Sequence, residues 1–185
     1  MFAFLFLALL VIVALWVVAQ FNGLVSLRNQ VQNAWSQIDV QLKRRHDLIP
    51  NLVNTVKGVM KFEQETLERV MNARARAVGA TNMAERGAAE GELSQTLGRL
   101  LVVMENYPEL KSNQNALQLQ EELTATENKI GFSRQFYNDV VMKFNTAQQV
   151  FPGNIIAGMF NFKPAEFLQM TEADREVPTV DLATH

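Results

Sequence analysis

The chain has 185 residues, enough for one domain with an anchor and too few for two ordinary domains. Hydrophobic residues make up 48% and charged residues 19%, which excludes a disordered or collagen-like chain. A formal net charge of −2 provides no general attraction for nucleic acid. The chain has no cysteine and only two histidines, so disulfides, thiolate nucleophiles and cysteine zinc sites are excluded and histidine-rich metal sites are undersupplied. We expect no cofactor, no metal and no nucleic-acid partner.

Residues 2–19 are predicted to cross a membrane, because they carry no charge, no amide and no hydroxyl. Eighteen residues at helical rise cover roughly 27 Å, close to the hydrocarbon thickness of a bilayer. Trp16, near the end of this run, suits the membrane interface. A secretory signal peptide is the competing interpretation, with Val17-Val18-Ala19 as a weak cleavage site. No basic residue precedes the run, however, and the run is longer than a usual signal-peptide core. We predict a retained transmembrane helix over residues 1–20.

The charges that follow the span favour one side of the membrane for the rest of the chain. Nothing charged precedes the span, whereas Arg28 and then Lys43, Arg44 and Arg45 follow it. Basic residues next to a span tend to stay in the cytoplasm. The sequence therefore slightly favours a cytoplasmic domain over a periplasmic one.

Four helical segments are predicted between residues 21 and 150. The first carries an apolar stripe with intervals of three and four residues, typical of a coiled-coil-like helix, formed by Leu24, Leu27, Val31, Ala34, Ile38 and Leu42. A second stripe starts at Leu52 and ends where Gly79 supplies a C-cap. No long alternation with period two competes as a strand.

The third and fourth helices have clearer ends in the sequence. Asn82 with Glu85 three residues later predicts a capping box at the start of the third helix. Tyr107-Pro108 is predicted to end it, because a residue before proline is pushed out of the helical region. Ser112 or Asn113 is predicted to start the longest helix, which ends at Phe151-Pro152-Gly153.

Pro50 leaves the topology open between a chain reversal and a kink in one long helix. We expect the reversal, because it divides the chain into four helices of similar length. The predicted fold is all-α, with an N-terminal transmembrane helix, an elongated antiparallel four-helix bundle and a short aromatic C-terminal segment. The alternative is one kinked helix over residues 24–79.

Residues 151–170 form the aromatic segment, and residues 171–185 are predicted to be a flexible polar tail. If four antiparallel helices start at the membrane, the aromatic segment returns to it. The segment then either caps the end of the bundle or lies at the bilayer interface. The candidates for membrane contact are Trp16, Phe151, Ile155, Ile156, Phe160, Phe162 and Phe167.

Polar residues near the apolar stripes are candidates for a network that fixes helix register. In such a network Arg74 could bridge to Glu127 or Asp39. Lys43 to His46 form the densest basic run, which a solvated helix end would also explain. The full set of polar candidates is Trp35, Asp39, Lys43, Arg44, Arg45, His46, Asp47, Pro50, Arg74, Glu127, Arg134, Tyr137 and Asn138.

The charges are unevenly distributed along the chain. Residues 20–80 carry nine basic and five acidic side chains, whereas residues 81–151 carry six basic and nine acidic ones. The first half of one protomer could therefore attract the second half of another. No Glu-x-x-His pair is present for a di-metal carboxylate site, and no nucleophile or phosphate loop stands near Tyr137 or Glu127. We expect no enzymatic activity.

Several segments together resemble the LemA family over essentially the whole chain. The longest is NAWSQIDVQLKRRHDLIPNLV at residues 33–53, and shorter ones are NYPELK at 106–111, LQEEL at 119–123, ENKI at 127–130, RQFYN at 134–138 and FPGN at 151–154. The resemblance implies a bacterial single-pass protein of the inner membrane with a helical-bundle domain. It implies no agreed biochemical activity.

These features favour a non-enzymatic, membrane-anchored helical scaffold that self-associates and organises or shapes the membrane. Its expected partners are further copies of itself and the lipid bilayer. Two alternatives remain open. One is an adaptor that recruits or regulates another membrane protein as its client. The other is a sensor with a small-ligand pocket among Asp39, Arg74, Glu127 and Arg134.

Overall fold

The structure is a computed structural model that describes residues 1–168. Over these residues the chain forms six helices and no strand, which confirms the all-α prediction. The helices are α1 (Phe2–Val56), α2 (Gln64–Gly79), α3 (Met83–Met104), α4 (Pro108–Lys111), α5 (Gln114–Gln149) and α6 (Gly153–Met159). The tail predicted at residues 171–185 lies outside the described residues.

Helix α1 continues through Pro50 to Val56, so the reversal predicted at Pro50 is wrong. The chain instead reverses over residues 57–63, and the second helix is correspondingly shorter than predicted. Proline has no backbone N–H, so residue 50 cannot donate to the carbonyl of His46. The Arg74 side chain takes that place, because its Nε donates to the His46 carbonyl oxygen at 2.6 Å. A donor from another helix thus satisfies the carbonyl that Pro50 leaves without its helical partner.

Two predicted helix starts are confirmed. The Asn82 side chain accepts a hydrogen bond from the backbone N–H of Glu85 at 2.9 Å, so Asn82 is the N-cap of α3. Asn113 accepts in the same way from the N–H groups of residues 115 and 116 ahead of α5. Both side chains satisfy donors that the first helical turn leaves unpaired.

The chain divides into two compact units. The bundle unit contains Val40–Arg134, that is, the last part of α1, then α2, α3, α4 and the first part of α5. Its four long helical segments share one apolar core, and the short connections between them make successive helices antiparallel. The largest buried apolar side chains of this core include Ile49, Leu52, Met60, Val70, Leu93 and Leu100.

The anchor unit contains Met1–Asp39 and Gln135–Phe167, that is, the first part of α1, the last part of α5, α6 and the residues that follow α6. Its part of α1 includes an 18-residue apolar window in which no residue is buried. This helix is long and apolar enough to cross a membrane. The exposed apolar run therefore has the properties that the sequence predicted for a transmembrane helix.

Close backbone contacts fix both ends of α6. At its start, a Cβ on Gly153 would lie 2.1 Å from the Ala147 carbonyl oxygen, so only glycine fits there. At its end, Asn161 adopts the left-handed conformation with φ 52°, which asparagine tolerates better than most residues. The Phe162 N–H then donates to the Ala157 carbonyl oxygen at 2.9 Å. This bond closes a Schellman motif that ends the helix.

The residues after α6 lie against α5. The Asn145 side chain forms two hydrogen bonds with the backbone of Ala165, at 2.9 Å to its carbonyl oxygen and 2.8 Å from its N–H. The Tyr137 hydroxyl donates to the Glu166 carbonyl oxygen at 3.0 Å. Side chains of α5 thus hold this segment by its backbone, largely independently of its own side chains.

Candidate functional site

A charged network lies inside the bundle unit. The Arg45 side chain is 0% exposed and that of Glu90 is 1% exposed, and their charged groups are in direct contact. The second guanidinium nitrogen of Arg45 lies 2.5 Å from a carboxylate oxygen of Glu127 and 2.7 Å from the hydroxyl of Ser94. His46 Nε2 lies 3.0 Å from the other carboxylate oxygen of Glu90. One guanidinium is therefore shared by two carboxylates and a hydroxyl.

The apolar stripes of α1 and α3 place these charges in the core. Arg45 lies three residues after Leu42 and four before Ile49, so it occupies a stripe position on α1. Glu90 lies three residues before Leu93 and seven before Leu97, so it occupies a position of the apolar stripe of α3. Because positions three or four apart share one helix face, both side chains are directed into the core.

The pKa of Glu90 shows that the network favours its charged form. Burial of the Glu90 carboxyl raises its pKa, but the contact with His46 and the charge of Arg45 act in the opposite direction. The net pKa lies below the usual value for glutamate. Glu90 is therefore an ionised partner of Arg45 in the folded chain.

Several polar candidates from the sequence lie elsewhere than predicted. Arg45 and His46 are buried, so the solvated helix end considered for the basic run is wrong at these two positions. Lys43, Arg44 and Asp47 are exposed, and Arg44 forms a surface ion pair of 3.4 Å with Glu122. Glu127 binds Arg45, where the sequence suggested Arg74. Of the remaining candidates, the bundle unit holds Arg134, and the anchor unit holds Trp35, Asp39, Tyr137 and Asn138.

The sequence reasoning missed Glu90 and Ser94. Glu90 had a detectable signal, because a glutamate on an apolar stripe predicts a buried partner of opposite charge. Ser94 follows Glu90 by one helical turn, and its hydroxyl contacts Glu127 and the Glu90 carbonyl oxygen at 3.1 Å. Serine often bonds the carbonyl four residues earlier, so nothing in the sequence marks Ser94 as part of a network.

Ion pairs of the bundle unit join the basic first half of the chain to its acidic second half. Arg44, Arg45 and Arg76 belong to the basic first half, and they pair with Glu122, Glu90 and Glu92 of the acidic second half. These three pairs therefore use part of the charge of both halves within one chain. Two charged pairs of this kind lie at the surface, where each contributes little stability.

An aromatic cluster in the anchor unit surrounds Phe162. The rings of Phe21 and Phe144 lie 5.8 and 6.4 Å from it, and the guanidinium carbon of Arg28 lies 5.5 Å above its face. Phe160 packs at 4.7 Å from Phe21.

Nearer the start of α5, Tyr137 contacts Trp35 edge-on at 5.7 Å. Burial of Tyr137 and the nearby Glu166 raise its pKa, so the hydroxyl stays a donor.

The predicted membrane candidates divide into buried and exposed side chains. Ile156 is 1% exposed and packs on Leu24, so the prediction of membrane contact is wrong for this residue. Phe162 is partly buried in the aromatic cluster. Trp16, Phe151, Ile155, Phe160 and Phe167 are exposed.

Two cavities of the described residues have volumes of about 280 and 270 Å³. Amide side chains dominate the lining of the first, in the anchor unit, and include Asn145, Gln148, Gln149, Asn154 and Asn161. The second lies in the bundle unit beside Met104 and Leu117. Neither is lined by Asp39, Arg74, Glu127 or Arg134. Over residues 1–168 no cluster of three or more histidine and acidic side chains could hold a metal ion.

The unburied apolar helix and the helical bundle with its charged core define a membrane-associated, all-helical class of protein. A family model described as the LemA family matches residues 34–182. The chain belongs to the LemA family.

Similar proteins carry two kinds of name. Protein LemA of Metamycoplasma hominis is 28% identical over 166 residues, which cover 87% of this chain and 74% of that protein. Magnetosome protein MamQ 2 of Paramagnetospirillum magneticum is 26% identical over 195 residues, covering 88% and 72%. Magnetosome protein MamQ of Magnetospirillum gryphiswaldense is 22% identical over 174 residues, covering 80% and 64%.

Proposed function

We propose that this chain is a non-enzymatic scaffold of the bacterial inner membrane, which self-associates through its helical domain and anchor and organises the membrane. The observation that carries the proposal is the contact of the buried Arg45 side chain with Glu90 and Glu127. Arg45 compensates the buried charge of Glu90 and also contacts the partly exposed Glu127, and contacts of this kind fix helix register. The charged side chains best placed for catalysis therefore have a structural role. The outer surfaces of the molecule are left to carry the function.

Self-association has support from the anchor and from the surface of the bundle unit. The apolar part of α1 is unburied, so it needs lipid or another apolar helix around it. Anchoring in one plane raises the effective concentration of neighbouring copies. Large apolar side chains are also exposed on the bundle unit, among them Phe62 and Phe132. The relatives named as magnetosome proteins are consistent with a role at membranes.

The cytoplasm is the proposed location of the helical domain. Arg28, Lys143 and Lys163 are the basic side chains of the anchor unit, and they follow the apolar run in the chain. Retention of basic residues in the cytoplasm favours this orientation. A membrane-impermeant maleimide should fail to label a Glu121→Cys variant in intact cells and should label it after lysis. Labelling in intact cells would place the domain outside the cytoplasm.

Self-association is tested by counting copies in vesicles. The chain has no native cysteine, so a Glu121→Cys variant can carry one fluorophore on an exposed position of α5. Full-length protein is reconstituted at increasing lipid-to-protein ratios, and bleaching steps are counted for each spot. A scaffold gives several steps per spot, and the number persists on dilution.

Two comparisons separate the possible contacts. Phe62→Ser and Phe132→Ser should reduce the number of copies if the bundle surface carries the contact, and leave it unchanged if the anchor does. Single steps at every dilution would contradict the scaffold and favour an adaptor that needs its client. The ligand sensor has less support, because Arg74 binds a backbone carbonyl and Glu127 binds Arg45.

A further inference from the structure

Helix α6 has one face that packs against the anchor and one that does not. Ile156 and Ala157 are buried and form a cluster with Leu24 of α1. Ile155 and Met159 lie four residues apart on another face and are 51% and 69% exposed, and Phe151 just before the helix is 78% exposed. We call these three exposed apolar side chains, two on α6 and one just before it, the outer face of α6. No described side chain covers it.

The contacts of α6 fix its position along the anchor helix. Val17 and Phe21 of α1 pack against the cluster of Leu24, Ile156 and Ala157. Val17 belongs to the apolar run, which ends at Ala19. Phe21 and Leu24 lie only about 3 and 8 Å beyond that end, at a rise of 1.5 Å per residue. The headgroup region extends roughly 5–7 Å on each side of the hydrocarbon, so a bilayer crossed by residues 2–19 would have α6 at about the level of its headgroups.

The charges of the anchor unit are arranged by distance from the apolar run. Its basic side chains lie around Phe162, because Arg28 stacks on that ring, Lys163 follows it and Lys143 precedes Phe144. The acidic side chains Asp39, Asp139 and Glu166 lie near or beyond the level of Trp35 and Tyr137, about 24 Å from the end of the run. Attraction to anionic lipid acts within about 8 Å at physiological salt, so the bilayer meets the basic group first.

The backbone holds α6 in this position. Gly153 allows the closest approach to the Ala147 carbonyl, and Asn161 ends the helix so that Phe162 returns to the aromatic cluster. Asn145 then holds the following segment through both backbone groups of Ala165. With α6 fixed at both ends, the outer face stays directed away from the anchor unit.

We propose that the outer face of α6 inserts into the headgroup and acyl boundary of the bilayer that α1 crosses, with Arg28, Lys143 and Lys163 beside anionic lipid headgroups. The occupant of this face is the lipid surface, because the face continues the apolar run at the depth of the interface. Three side chains are too few for a second copy, since a stable dimer buries roughly 800 Å² on each partner. This inference rests on the membrane anchoring in the proposed function and is independent of self-association.

Collision measurements on single spin labels test the proposal. Full-length Met159→Cys, Ile155→Cys, Leu10→Cys and Gln37→Cys variants are labelled and reconstituted in nanodiscs that contain phosphatidylglycerol. Leu10 is central in the apolar run, and Gln37 is an exposed position of α1 about 27 Å beyond the run. Each label is exposed to oxygen, which concentrates in lipid, and to a polar nickel chelate, which stays in water.

Labels at positions 155 and 159 should collide with the nickel chelate about tenfold less often than the label at 37, because a polar chelate is excluded from the acyl boundary. Oxygen should reach them nearly as well as it reaches position 10. Nickel collisions at 155 and 159 equal to those at 37 would overturn the proposal while leaving anchoring intact. Shielding from both reagents would also overturn it, because protein would then cover the face. If position 10 itself is open to nickel, both this inference and the proposed anchoring fail.

Discussion

The link between Pro50 and Arg74 makes the first prediction. Arg74 Nε donates to the His46 carbonyl oxygen at 2.6 Å, the group that a residue with a backbone N–H at position 50 would bind. Arg74→Met removes this donor and leaves the carbonyl inside the bundle without either partner. An unsatisfied buried acceptor costs about 1–3 kcal/mol. For a chain of this size, the loss corresponds to a Tm lowered by about 2–12 °C.

The same substitution should cost less once proline is removed. In a Pro50→Ala background the new N–H at position 50 donates to the His46 carbonyl oxygen along the helix. Arg74→Met then removes only side-chain packing, about 1 kcal/mol or less. The two substitutions should therefore be coupled by about 1–2 kcal/mol, with Arg74→Met nearly harmless when Pro50→Ala is present.

The assay is thermal unfolding of the full-length protein in mild detergent, followed by circular dichroism at 222 nm. Four proteins complete the cycle: the parent, each single variant and the double variant. Arg76→Met is the matched control, because Arg76 lies two residues along α2 in an exposed pair with Glu92. Its small effect should be the same with and without Pro50→Ala. Equal Tm losses for Arg74→Met in the two backgrounds would refute the proposed compensation.

Three further predictions concern the charged network and α6. Arg45→Met leaves Glu90 buried beside Glu127 without its cation. The substitution should therefore lower the free energy of unfolding by about 3–5 kcal/mol and the Tm by about 6–20 °C. A Tm loss no larger than that of Arg76→Met would show that the network is not structural. Because the pKa of Glu90 is lowered in the folded chain, the stability that it provides is lost as the pH falls below the ordinary value of 4.5. The Tm of the parent should then fall more steeply below pH 4.5 than that of Glu90→Gln, and parallel curves would contradict this. Gly153→Ala places a Cβ 2.1 Å from the Ala147 carbonyl oxygen, so α6 should detach and a spin label at Met159→Cys should gain motion, whereas an unchanged spectrum would contradict the close packing.

Local sequence signals predicted helix ends well where one side chain completes them. Asn82 and Asn113 each carry their own acceptor for the first turn, so neighbouring residues contain the whole interaction. Pro50 is different, because proline ends a helix only if the freed carbonyl finds no other donor. That donor is Arg74, 24 residues further along the chain, and no local pattern connects the two. The prediction failed because a tertiary hydrogen bond replaced a local one.

The charged core shows which part of a site a stripe can predict. Arg45 and Glu90 occupy stripe positions on their helices, so their burial follows from spacing alone. The choice of partner does not, because Arg45 and Arg74 are both basic residues near stripes and Glu127 could have paired with either. The packing of the helices determines the partner of each arginine. Helix α3 brings Glu90 to Arg45, whereas Arg74 donates to the His46 carbonyl oxygen. The continuity of α1 through Pro50 therefore determines both contacts. It extends Arg45 and Ile49 in one stripe to Val56, and it creates the unpaired carbonyl that keeps Arg74 away from Glu127.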